Sequence, residues 1–364
     1  MMLSSIDLLL RAVIDPVSLG RLLPAQWDIL IRQGRQADLL ARIGAAVAAQ
    51  NCTELIPAQA RMHFQSALNL ATRQQRELRW EVDQITQALS HTGVSFALLK
   101  GAAYVMSGLK AAHGRLVSDV DILVPHADLA KVESALMVGG WISSAKSDYD
   151  QRYYRRWMHE LPPMQHVRRG TVIDVHHAIL PTTARLHPSS DKLLTAAIPL
   201  SPGGLVKTLS PTDMVLHSAT HLFHEGDLEQ GLRGLVDLDA LLKEFGADSG
   251  FWQGLIPRAI ELDLVMPIFY ALRYVSLMLA TPVPAFVMHR AAQVSTAGGV
   301  KLQLMDALYL RALRPPHPST SDSWTPLARG LLYLRGHWLR MPPWLLLAHL
   351  IKKSVAARVD KPGH

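Results

Sequence analysis

The residues best suited to chemistry are two carboxylates set two apart at the head of an apolar run, Asp119-Val120-Asp121-Ile122-Leu123-Val124. In a strand, residues two apart share a face, so Asp119 and Asp121 project together while Val120, Ile122 and Val124 turn away. Clustered carboxylates suit a hard divalent cation such as Mg²⁺. A third acid, Asp174, sits between Ile173 and Val175 in a second strand-like run, Thr171 to His177. A buried strand admits a carboxylate when it is paired, hydrogen-bonded or metal-bound. Three carboxylates on neighbouring strands can hold two metal ions, which clamp the attacking and leaving oxygens of an in-line phosphoryl displacement. An Asp-x-Asp pair alone is a weak signal, since such pairs also occur on solvated strand ends. Asp174 reads equally as a strand-edge acid paired with Arg168, Arg169 or His176.

A rival constellation is His217, His221 and His224, spaced to share one helical face, with Glu225 and Asp227 beside it. Such spacing can make a zinc site. The segment His217-Ser218-Ala219-Thr220-His221 lacks the glutamate of a His-Glu-x-x-His protease. With 17 histidines in the chain, the simpler expectation is that these line a cleft or are satisfied between helices. Arg233 and Asp237, four apart on the next helix, can pair with each other, or Arg233 can face substrate phosphate.

The pattern places these residues on defined elements. Val94 to Leu99 reads as a buried strand, Ala102 to Lys110 as a short helix and His113 to Ser118 as a loop before the Asp119 strand. A helix over 128–138 and strands at Trp141–Ser144 and Thr171–His177 follow. Residues 148–166, polar and aromatic, fit no single period, and 181–204 is loop-rich. Ser210-Pro211-Thr212-Asp213 is a helix start with a cap, a first-turn proline and a capping-box acid. Upstream, amphipathic helices fill 4–50, and a long segment from Pro57 to His91, closed by Gly93, caps the catalytic lobe. From Trp252 to Val359 the pattern is helical, broken by paired prolines.

At 364 residues the chain can bury a large core. It is 49% hydrophobic and carries a net charge of +7, which suits phosphate-bearing ligands. No basic block with interleaved aromatics favours nucleic acid. A single cysteine, Cys52, excludes an intrachain disulfide and a multi-cysteine zinc site. Met1 to Val13 lacks the basic first region of a secretory leader, and no apolar run reaches bilayer length, so a cytoplasmic location is expected. Arg335, Arg340, Lys352, Lys353 and Arg358 among Trp338, Trp344 and leucines allow peripheral membrane contact through the C-terminal helices. A packed bundle with a solvated basic face is the commoner arrangement of such residues.

These motifs together resemble the nucleotidyltransferase superfamily typified by DNA polymerase beta, and more narrowly an uncharacterised bacterial nucleotidyltransferase family within it. The resemblance rests on Leu99-Lys100-Gly101, Arg115, Asp119-Val120-Asp121, Asp174-Val175-His176, His217, Arg233 and Asp237-Leu238, and covers roughly 94–242. Lys100-Gly101 stands where the superfamily usually has a Gly-Ser turn. The resemblance implies an α+β fold: a small mixed β-sheet core (94–205) between an N-terminal helical region (1–93) and a C-terminal one (206–364). It further implies nucleotidyl transfer from a nucleoside triphosphate such as ATP to a hydroxyl of an acceptor that is a small molecule, glycan or protein, dependent on Mg²⁺ or Mn²⁺. Asp119, Asp121 and Asp174 are then the metal-holding catalytic residues, with Asp174 also the proton acceptor. Lys100, Gly101, Arg115 and Ser118 contact nucleotide, and His176, His217, His221 and Arg233 line the cleft. Two other functions stay open on the residues alone: a catalytically degenerate nucleotide- or partner-binding protein, and a histidine-metal hydrolase.

Overall fold

The computed structural model describes residues 8–144, 154–155, 157–226 and 228–341. Strands β1 (Phe96–Leu98), β2 (Asp119–Leu123), β3 (Trp141–Ser143), β4 (Met164–His166), β5 (Val172–His176), β6 (Ile198–Pro199) and β7 (Val206–Thr208) form one mixed sheet. Their spatial order is β3-β4-β5-β2-β1-β7-β6. β2 lies at the centre, parallel to β5 and antiparallel to β1. The expected α+β architecture, a small mixed sheet flanked by extensive helical regions, is what the chain adopts.

Helices cover the sheet because the strands are apolar on more than one face. β1 is buried throughout, and in β2 every residue after Asp119 is buried. The long helix Ala58–Leu89 buries Ala60, Phe64, Ala71, Leu78, Val82, Ile85 and Leu89, a stripe at helical spacing. Glu81 interrupts that stripe. Its carboxylate is 2% exposed and accepts hydrogen bonds from Trp141 Nε1 (3.1 Å), Arg169 Nε (2.9 Å) and Thr171 Oγ1 (2.7 Å). One buried acid thereby ties the long helix to β3 and to the β4–β5 turn.

Two parts of the sheet escape sequence reading. β4 lies in the stretch that fits no single period, and three residues are too few to display alternation. β6 and β7 are short and partly polar; β7 exists because Val206 and Thr208 pair in parallel with Phe96 and Leu98. The sheet therefore runs to Thr208, past residue 205 and into the region expected to be helical. Beyond it, the helix Pro211–His224 starts as anticipated: Ser210 Oγ accepts from the Asp213 N–H at 3.3 Å, with Pro211 in the first turn.

Among the described residues no helix is long and apolar enough to cross a membrane. Of the basic residues considered for membrane contact, Arg335 points inward. Its Nη1 donates to the Phe223 carbonyl (3.0 Å) and the Tyr309 hydroxyl (3.1 Å). It also sits 5.5 Å from the Tyr270 ring centroid, so it packs the helical bundle. Trp344, Lys352, Lys353 and Arg358 lie outside the described residues.

Replacing Glu81 with alanine leaves the partly buried Arg169 guanidinium and the Trp141 N–H without their acceptor. The expected loss of unfolding free energy is about 3 kcal/mol in urea titration, with Glu81→Gln losing less because it retains an acceptor oxygen.

Candidate active site

The parallel pairing of β2 with β5 sets Asp121 directly beside Asp174 and Leu123 beside His176. Asp119, two residues before Asp121, lies on the same face. The three carboxylates predicted from alternation are therefore brought to one side of the central strands. Asp119 is exposed, with Ser118 Oγ at 3.3 Å, whereas Asp121 is 4% exposed.

Asp121 is buried because its charge is met from two directions. Lys100 Nζ lies 2.9 Å and His176 Nε2 3.1 Å from Asp121 Oδ1. Lys100 reaches it from the end of β1, where the Leu99 N–H donates to the Asp121 carbonyl at 3.0 Å. Lys100 has φ of 45°, a left-handed conformation that costs a non-glycine residue about 1 kcal/mol or more; the sharp strand-to-helix turn holds it there. Burial opposes ionisation of Asp121, but the Lys100 charge and the His176 hydrogen bond outweigh it and hold the carboxyl well below its usual range. Burial likewise opposes the charged forms of Lys100 and His176, and the facing acids overcome it, raising both. His176 also places Nδ1 3.3 Å from Glu160 Oε2. The sequence marked His176 only as a cleft residue; it is a clamp between two carboxylates.

Asp174 has the opposite character. Its Oδ1 is buried with no hydrogen-bond partner. Burial first, then the charges of Asp121 and Glu160, push its pKa up to about 7. Two adjacent acids on one sheet face thus differ in protonation behaviour because the nearby cations serve Asp121.

Asp119 and Asp121 open onto a cleft of about 440 Å³, lined also by Lys100, Gly101, Arg115 and Ser118 on the sheet side, whereas Asp174 and His176 lie outside its lining. The helices Pro211–His224 and Gly231–Phe245 form the other wall with His221, Arg233 and Asp237, and the connection between them adds Glu225 and Glu229. The sheet and helix walls are pinned together by Tyr104, whose hydroxyl hydrogen-bonds Ser218 Oγ. A second pin is Asp237, which accepts from Arg115 Nε at 2.9 Å and Arg42 Nη2 at 2.7 Å. Gly101 makes this possible, because a side chain there would collide with Arg115 Nη1. Gly114, at φ of 65°, lets the loop before β2 lie on the helix Leu40–Ala49; an added Cβ would come 2.5 Å from the Ala41 carbonyl oxygen.

Several sequence expectations are redistributed. Arg115, expected to contact nucleotide, lines the cleft but pairs with Asp237 and so joins the two walls. Arg233 pairs with Asp38 at 3.1 Å instead of with Asp237, while still lining the cleft. Of the histidine helix, only His221 lines the cleft, with Nε2 3.4 Å from Glu225 Oε2. His217 and His224 are buried, and burial lowers both, His224 to about 4. The three do not converge on one point: among the described residues, the group with three ligand atoms within 4.8 Å of one another is His159, Glu160 and His176. A hydrolase metal site on the histidine helix therefore lacks its ligand set. The sequence also missed Glu160, which a bridge sets against His176, and Asp38 and Arg42, whose partners lie 195 residues away in the chain.

Hard cations require oxygen donors, and Asp119, Asp121 and Asp174 offer them on one face. The unpartnered Asp174 Oδ1 is a buried acceptor of the kind a cation satisfies. These residues fit the expected divalent ion by donor type, although their oxygens do not converge within 4.8 Å in this conformation.

The mixed sheet thus presents Asp119 and Asp121 to a cleft walled by helices. The family model of uncharacterised nucleotidyltransferases matches residues 24–280, and the chain belongs to that family. The matched span contains the whole sheet and both cleft walls. Searches of curated proteins and of solved structures find no significant match.

The raised Asp174 pKa has a stability consequence. A carboxyl near 4 in the unfolded chain and about 7 in the folded one binds its proton more tightly when folded. Its contribution to stability is complete below about pH 4 and is lost as pH rises through about 7. In EDTA, unfolding free energy measured against pH falls across this window, and Asp174→Asn flattens part of that fall.

Proposed function

We propose that the protein transfers a nucleotidyl group from a nucleoside triphosphate to an acceptor hydroxyl with the help of Mg²⁺ or Mn²⁺. The observation that carries this reading is the direct pairing of Asp121 with Asp174, with Asp119 on the same face at the mouth of the cleft. Family membership supports the transfer class; the donor, the cation and the acceptor are our reading of the site.

In the reaction, the acceptor oxygen forms a bond to the α-phosphorus as the bond from that phosphorus to the pyrophosphate oxygen breaks. The acceptor proton must leave as this happens. We assign the proton to Asp174, the acid paired beside Asp121, through a carboxylate oxygen other than the one a bound ion would take. Asp119 and Asp121 would hold the cation, with Asp174 completing the set. Bound there, a divalent ion would neutralise phosphate charge and orient the triphosphate. Lys100 keeps Asp121 ionised and in place through its 2.9 Å contact. Arg233 and His221 line the opposite wall of the same cleft, where we assign them to the triphosphate or the acceptor.

Incubation of the chain with labelled nucleoside triphosphates, Mg²⁺ or Mn²⁺ and a panel of small-molecule, glycan and protein acceptors tests this. Transfer of label is expected, with a loss of at least about 100-fold in the Asp119→Ala, Asp121→Ala double variant. Labelling that survives the double change would remove these aspartates from the mechanism. Triphosphate binding without transfer to any acceptor would instead identify a binding protein.

A further inference from the structure

Next to Asp121 lies a cluster, His159, Glu160 and His176, whose members are not among the residues lining the cleft. Glu160 pairs by an isolated antiparallel bridge with His176. The same segment is stitched to the end of β5 by Leu161 N–H to the Val175 carbonyl (2.9 Å) and His177 N–H to the His159 carbonyl (2.9 Å). This backbone pairing sets His159 and Glu160 against His176, with the two imidazole centroids 5.3 Å apart. One ligand atom from each of the three residues lies within 4.8 Å of the other two.

Three features of this cluster fit a metal site. First, His176 Nδ1 and Glu160 Oε2 are 3.3 Å apart. Tetrahedral zinc with bonds of about 2.0–2.1 Å has ligand–ligand edges of about 3.3–3.4 Å. Second, His159 is 6% exposed and its Nδ1 has no hydrogen-bond partner. The ion pair between His176 and Glu160 does not account for that buried nitrogen. Third, His176 Nε2 is 3.1 Å from Asp121 Oδ1. A metal-bound imidazole characteristically gives its other N–H to a carboxylate, which fixes the tautomer and ring plane.

We infer that His159, Glu160 and His176 form a mononuclear site for a borderline divalent transition ion of the Zn²⁺ type, with the carboxylate of Asp121 orienting His176 from behind. Two imidazoles and one carboxylate make a donor set that zinc accepts and Mg²⁺ does not favour. The ion would lock the 159–161 segment onto β5 and hold the ring that positions Asp121. The site stands on its own ligands and does not depend on the nucleotidyl-transfer reading.

Metal-stripped full-length chain titrated with Zn²⁺ tests the inference, with Co²⁺ as an optical probe. About one equivalent of Zn²⁺ should bind at micromolar or tighter affinity, raise the thermal midpoint and give the visible absorption of a four- or five-coordinate Co²⁺ centre. His159→Ala and the better-packed His159→Gln should each lose the Co²⁺ spectrum and weaken Zn²⁺ at least about tenfold. Circular dichroism establishes that both variants remain folded. Asp119→Asn should retain binding, because Asp119 serves the cleft side. Failure of the wild-type chain to bind stoichiometric Zn²⁺ overturns the proposal. So does binding unchanged in both folded His159 variants, or binding lost in Asp119→Asn and kept in His159→Gln, which would move the ion to the aspartates. None of these readouts requires transfer activity, so failure of either proposal is distinguishable from failure of the other.

Discussion

A carboxylate that is 4% exposed in the middle of a β-sheet costs several kcal/mol unless its charge is answered. Asp121 is such a group, and the centre of the molecule is arranged around answering it. Lys100 adopts a left-handed backbone to bring its ammonium from the end of β1. His176 comes from β5 and is held from its far side by Glu160. The β-sheet order, with β2 between β1 and β5, is what lets a cation from each neighbour reach the same oxygen. Asp174, one strand away and without a cation of its own, is left with a raised pKa. The functional difference between two adjacent aspartates therefore follows from which one the cations reach.

The second constraint is the joining of the sheet to the helical wall. Asp237 draws Arg42 from the N-terminal helices and Arg115 from the loop before β2, so one acid holds three distant parts of the chain. Its partners are largely buried, and such a network is costly to break and demanding in geometry. It fixes the cleft's width near the sheet, while Arg233 and Asp38 make a more exposed link at its mouth. The cleft is thus an interface between the sheet and the helices that follow it, which agrees with a family span that extends well beyond the sheet.

Much of the fold and part of the site were legible from sequence. Alternation around Asp119, Asp121 and Asp174 identified the acid row because the strand period is local. The cap at Ser210 and the long helix after Pro57 were readable for the same reason. β4, β6 and β7 were not, since each is two or three residues long and owes its conformation to a partner strand. Arg115 and Arg233 were recognised as important cations but given other partners. Their acids, Asp237 and Asp38, lie 122 and 195 residues away in the chain. The histidine helix was recognised as a spacing but not as a burial pattern, and burial separates His221 from His217 and His224.

The sequence by itself determined which strands carry acids and that these share a face, because backbone periodicity projects residue type directly into side-chain direction. Tertiary structure alone decided which acid is neutralised, which is left to titrate near neutrality, and which arginines are committed to holding the walls. Those outcomes depend on desolvation and on charges brought close from distant segments, and neither is encoded in local spacing. The three carboxylates were visible one at a time in the chain; the difference between Asp121 and Asp174 came into being only when Lys100 and His176 were folded against one of them.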